Sequence, residues 1–232
     1  MGFLFSLVDV IQGSSCYGRQ VAPGFSSPGV EPATINLIYE LYDDNLRCGR
    51  GATMTGHGVE TLAASAGDEI GFVPTQTVDG KDVSAKKSPC SSLDVYFYHP
   101  GFAQAYLSRA PADLESYTGD GDWFKVAYMG TKNDTEWAIL GHTMANFTLP
   151  KTTPLGKYLL RFEVIFGITH EFNVTRFYIN CAHIEVNGPG GGKTSRAVDL
   201  AGLIFAQESL AQWSNSRVRT TSEITVRLTT KK

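Results

Sequence analysis

The chain of 232 residues has little positive charge to spare. Lys and Arg number 20 against 23 Asp and Glu, giving a net charge of −3 and an isoelectric point near 5.9. A nucleic-acid partner demands a basic field against phosphate, so none is expected. A neutral, polymeric substrate suits this balance better. No apolar run reaches the length of a bilayer crossing, and no membrane partner is expected. Cysteines number four, at 16, 48, 90 and 181, and none has zinc-site spacing. There is no Gly-x-Ser-x-Gly element and no phosphate-cradling Gly-rich loop. A paired-carboxylate hydrolase needs a second acid opposite Glu163, and the sequence singles none out.

Turn formers and apolar residues are plentiful. The chain holds 24 Gly, 10 Pro and 42% hydrophobic residues, the composition of one packed domain with many turns. Short strands are predicted at 60–64, 68–73, 93–99, 104–108, 123–129, 136–140 and 146–149. Polar loops separate them, including one at 74–91. The apolar residues 1–13 read as a first strand rather than a signal peptide, since no basic residue precedes them and Asp9 interrupts them. Seven or more short strands at regular spacing predict an all-β, immunoglobulin-like antiparallel β-sandwich with long loops.

The strongest local signal runs from Gly156 to Gly188. Two segments rich in aromatic and β-branched residues flank a polar loop, which predicts strand, loop, strand. By the two-residue period, Tyr158, Leu160, Phe162, Val164 and Phe166 share one face. Arg161 and Glu163 fall on the other, as a partly buried ion pair. Phe177, Ile179, Cys181 and His183 share a face of the second strand, opposite Tyr178, Asn180 and Ala182.

Tyr158-Leu159-Leu160-Arg161-x-Glu163, then Phe177-Tyr178-x-x-Cys181-Ala182, preceded by Tyr98-His99-Pro100-Gly101 and Trp123-Phe124-Lys125, resembles the fungal lytic polysaccharide monooxygenases of auxiliary activity family 9. The similarity covers residues 32–188. It implies a secreted, monomeric, copper-dependent enzyme that oxidatively cleaves β-1,4-glucan such as cellulose with an external electron donor. Nitrogen donors in a planar arrangement suit Cu(II). By resemblance His99 is the internal copper histidine, Tyr178 the axial tyrosine, and Cys48–Cys181 the family's disulfide. Three Asn-x-Thr sequences, at Asn133, Asn146 and Asn173, agree with secretion. Tyr17 and Tyr98 are candidates for stacking on sugar rings. Solvated or structurally bonded side chains are expected of His57, His142 and His183.

The departures from the family are equally specific. Its glutamine two residues before the axial tyrosine is Arg176 here, a permanent cation with no acceptor. Its histidine seven residues after the arginine is Ile168, with His170 two residues on. No histidine precedes His57, so the amino-terminal copper ligand is expected either upstream of Met1 or lost. In the second case the chain is a non-catalytic relative that keeps the sandwich and binds polysaccharide or copper without oxidation. Residues 1–188 are expected to form the sandwich domain. Residues 189–232 are expected to be a Gly-rich linker and divergent tail, with an amphipathic helix over 198–213.

Overall fold

The computed structural model describes residues 3–8, 38, 43–49, 51–54, 56–78, 81–82, 96–167 and 175–191. Among these, nine strands run in chain order: β1 (Phe3–Val8), β2 (Thr61–Ser65), β3 (Glu69–Val78), β4 (Lys81–Asp82), β5 (Phe102–Arg109), β6 (Trp123–Met129), β7 (Ala145–Thr148), β8 (Gly156–Phe166) and β9 (Arg176–Asn187). They form two sheets. In the smaller, β3 pairs with β1, β4 and β7; the larger has the order β2-β9-β8-β5-β6. All pairings are antiparallel except that of β2 with β9. The architecture is the immunoglobulin-like β-sandwich expected.

The alternating residues of β8 and β9 fall as the two-residue period requires. Tyr158, Leu160, Phe162 and Val164 join Tyr178, Ala182, Ile184 and Val186 in a core completed by Ile70, Phe72, Ala145 and Phe147 from the smaller sheet. Phe72 stacks on Phe162, with ring centroids 4.6 Å apart. The opposite face is also buried. Leu159, Ile165, Phe177, Ile179 and Cys181 pack against Leu46, Ala52, Leu114, Tyr117 and Trp123. These last residues come from the 43–54 and 110–122 loops and the start of β6. The centre of the larger sheet therefore has cover on both sides.

That second layer corrects the expected exposure of the ion pair. Arg161 and Glu163 are fully buried, with Arg161 Nη2 2.7 Å from Glu163 Oε2. Arg161 Nε also donates to the Leu46 carbonyl at 2.9 Å. Gln104 Nε2 donates to Glu163 Oε1 at 3.4 Å, and the Tyr106 hydroxyl donates to Gln104 Oε1 at 2.9 Å. The guanidinium stands over the Tyr106 ring. A charge out of water persists only when paired and hydrogen-bonded, and this network supplies both. The Cys48–Cys181 disulfide, with Cα atoms 4.8 Å apart, fastens the same loop to β9.

Three boundaries differ from expectation. Strand β3 runs on to Val78, into the segment read as loop. Residues 136–140 hold only a bridge between Thr131 and Trp137 and a turn; Trp137 and Ile139 alternate in sequence because the turn tucks Ile139 under. Residues 96–98 are not in a named strand, although Phe97 exchanges backbone hydrogen bonds with Gly141 and His142. Residues 93–95 of the expected strand, the helix expected over 198–213, Cys16, Cys90, Tyr17, Ile168 and His170 lie outside the described residues.

Candidate functional site

The end of the larger sheet where β8 stops and β9 begins brings distant residues together. The antiparallel register sets Val164 opposite Tyr178 and Phe166 opposite Arg176. The chain enters β5 at this same end, because Phe102 pairs with Ile165. His99, Pro100 and Gly101 immediately precede β5. Gly101 lies against β8 so closely that a Cβ there would stand 2.1 Å from the Ile165 carbonyl oxygen. Only glycine allows that approach, and the approach brings His99 beside Phe166.

His99 is half-buried in an aromatic stack. Its ring lies 4.7 Å from Phe166 and 5.2 Å from Tyr178, both with planes 18° apart. Tyr98 sits 4.3 Å away at 46°. Burial, then the positive charge of Arg176 with a contribution from the amino-terminal charge, lowers the His99 pKa to about 4. At neutral pH the imidazole is therefore uncharged, the state in which it can donate a lone pair to a metal. Burial raises the Tyr98 pKa, and Arg176 opposes that shift. Arg176 is itself half-buried, with its guanidinium 5.8 Å from the Phe166 ring centroid. Tyr178 is 3% exposed.

Of the residues expected to form the site, the fold thus gathers His99, Tyr178 and Arg176 and bonds Cys48 to Cys181. Three further histidines, His57, His142 and His183, lie among the described residues. His57 is exposed and contacts the Glu115 carboxylate. His142 is exposed, and His183 is buried on β9, paired in register with Leu159 and Thr61. Phe166 is the member that sequence reasoning missed. Its place was legible only as a core position at the end of β8. Its contact with His99 depends on how Gly101 seats the preceding segment.

Whether these residues fit a copper ion turns on the donors. Among the described residues no group of three or more His, Cys, Asp or Glu side chains gathers as a metal site. The site end contributes one neutral imidazole, one phenol and a neighbouring cation. One imidazole does not make the planar, multi-nitrogen field that Cu(II) prefers, and Arg176 opposes a second positive charge. The described donors alone do not fit the ion.

The β-sandwich thus brings together the histidine and the tyrosine that the resemblance to auxiliary activity family 9 singled out. The comparisons fix the family. Residues 11–222 match the model of Auxiliary Activity family 9, formerly GH61, and the chain belongs to that family. It is 43% identical over 154 residues to the AA9 family lytic polysaccharide monooxygenase U of Thermothielavioides terrestris, covering 66% of this chain and 54% of that protein. It is 31% identical over 216 residues to the corresponding monooxygenase G of Aspergillus tamarii, covering 87% and 61%. The chain thus spans between half and two thirds of the length of these curated relatives. Among solved structures it is similar to a cellulose-active polysaccharide monooxygenase from M. thermophila, with a TM-score of 0.55 and 23% identity over 82% of this chain and 85% of that one. The extended catalytic domain of H. jecorina LPMO9A gives 0.59 and 21%, over 85% and 77%. At such identities the structural likeness carries the fold. No helix among the described residues is long and apolar enough to cross a membrane.

Proposed function

We propose that this chain belongs to a secreted lytic polysaccharide monooxygenase that uses one copper ion, held in part by donors outside the described residues, and an external electron donor to cleave β-1,4-linked glucan of the cellulose type. The activity is assigned to the sandwich of residues 1–188. One observation carries the reading: within a chain of this family, His99 and Tyr178, from segments far apart in sequence, stack at one end of the larger sheet. Copper, when bound, would supply the oxidising chemistry. The chain's own residues would do the rest. His99 would offer a neutral ring nitrogen. Tyr178 would close one side of the site, and His170 is proposed as a further catalytic residue. Tyr96 and Tyr98, exposed and in edge-to-face contact, offer ring faces on which a pyranose can stack.

Arg176 favours a second reading, a relative that keeps the scaffold and binds polysaccharide without oxidising it. Titration calorimetry and electron paramagnetic resonance with Cu(II) separate the two, together with release of oxidised oligosaccharides from cellulose in the presence of a reductant. The chain starting at Met1 should bind Cu(II) weakly. A form whose processed first residue is histidine should bind tightly, lose that binding on His99→Ala, and release oxidised products. Tight binding that survives His99→Ala would reject the placement of the site. Tight binding without products would leave the non-catalytic reading standing.

A further inference from the structure

Two of the three Asn-x-Thr sequences fall among the described residues, and the fold treats them differently. Asn133-Asp134-Thr135 occupies the connection after β6, where every residue from 131 to 136 is exposed. Asn133 Oδ1 accepts hydrogen bonds from the Thr135 N–H at 2.9 Å, the Thr135 hydroxyl at 3.0 Å and the Glu136 N–H at 2.9 Å. Its Nδ2 donates to Glu136 Oε2 at 3.0 Å. Asn146 lies within β7, opposite Gly71 of β3. Its side chain lies flat across that neighbour, since a Cβ on Gly71 would stand 2.4 Å from Asn146 Oδ1. Its Nδ2 reaches Glu69 Oε1 at 3.5 Å.

We propose that Asn133 is an N-glycosylation site and that it is occupied in preference to Asn146. The inference rests on the secretory reading above, because the glycan donor is met only along that route. The donor is an oligosaccharide carried on a lipid diphosphate. Transfer forms a bond between Asn133 Nδ2 and the anomeric carbon and breaks the anomeric C–O bond, whose electron pair leaves with the lipid diphosphate. Nδ2 gives up one proton to a base on the transferase, and nothing is oxidised or reduced.

The local geometry favours Asn133 at each stage. Recognition requires the carboxamide and the hydroxyl two residues on to be presented together. At Asn133 the two are hydrogen-bonded to each other, and every partner lies within four residues. An Asx turn of this kind forms from its own short segment, so it is open to a chain that has not yet folded. Asn146 instead sits in a segment of alternating exposed and buried residues that favours extended backbone, and its side-chain partner is 77 residues away. After transfer, Asn133 Nδ2 keeps one N–H, enough to go on donating to Glu136. The glycan then leaves into solvent, with no packed neighbour to displace.

The test uses the full chain behind an added secretion signal, translated with microsomes and also secreted from yeast. Supplying the signal separates this proposal from the chain's natural compartment. Cleavage after glutamate puts Asn133 in peptide 116–136, Asn146 in 137–163 and Asn173 in 172–185. Enzymatic glycan removal in heavy-oxygen water then marks each occupied asparagine. The mark is expected at Asn133, at higher occupancy than at Asn146. Asn133→Gln should abolish one step of the microsomal gel shift, and Asn146→Gln should leave the pattern as in the parent. An unmarked Asn133 in chain protected from protease inside the microsomes, or occupancy at Asn146 equal to or above that at Asn133, overturns the proposal. A marked Asn133 in the secreted test protein, with no glycan on chain isolated from its source, would count against the secretory reading alone.

Discussion

At the scale of single residues, the charge state of His99 is the property most open to measurement. Its pKa of about 4 lies below the ordinary value near 6.5. An unfolded chain therefore takes up a proton at His99 before the folded one does. By linkage, this residue's contribution to stability is full above about pH 6.5. It is lost progressively as pH falls toward 4. Urea midpoints should accordingly decline across that window in the parent and decline less in His99→Gln. Removing the neighbouring cation with Arg176→Gln should raise the His99 pKa, because one of the influences that hold it down would then be gone. Proton NMR of the imidazole across a pH series reads this directly, and an unchanged titration would show that Arg176 does not act on the ring. Gly101→Ala belongs to the same scale. A methyl group driven at the Ile165 carbonyl cannot be absorbed by a rotamer change, so backbone must shift. That variant should lose both stability and the depressed His99 pKa.

At the scale of the element, the buried polar network on β5 and β8 behaves differently from a surface ion pair. Arg161→Met or Glu163→Gln leaves its partner buried and alone or half-satisfied, and losses of about 3–5 kcal/mol are typical of breaking such pairs. Replacing both together with Met and Leu removes the uncompensated charge and should cost less than either single change. Denaturant unfolding of the three variants tests this, and an additive double variant would contradict it. Cys48→Ser with Cys181→Ser should cost about 2–5 kcal/mol in the same assay. Here the reach of the sequence is plain. The alternation in β8 and β9 was legible because each strand is long and its period clean. The pairing of Cys48 with Cys181 was legible only through resemblance. The depth of Arg161 and Glu163 was not legible, because their cover comes from the irregular 43–54 and 110–122 loops, which have no period to read. Trp137 and Ile139 misled for the converse reason: a turn that buries one residue mimics the alternation of a strand.

At the scale of the whole molecule, the candidate site joins the connection before β5 to the end of β8 and the start of β9. His99, Tyr178 and Arg176 could be proposed from the sequence through resemblance, yet Phe166 could not, because it meets His99 only through the seating of Gly101 against β8. The same joining has a kinetic side. Strand β2 lies parallel to β9, Thr61 against His183 through Ser65 against Asn187, and a parallel pair cannot be made by a hairpin. During synthesis β2 leaves the ribosome long before its partner exists. The first-made edge of the larger sheet must therefore wait, unpaired on that side, until residue 187 has emerged. Closing so long a loop is slow relative to local contacts. Chains arrested before β9 should thus remain protease-sensitive at residues 61–65, and protection there should rise in one step once the strand through Asn187 is free of the ribosome.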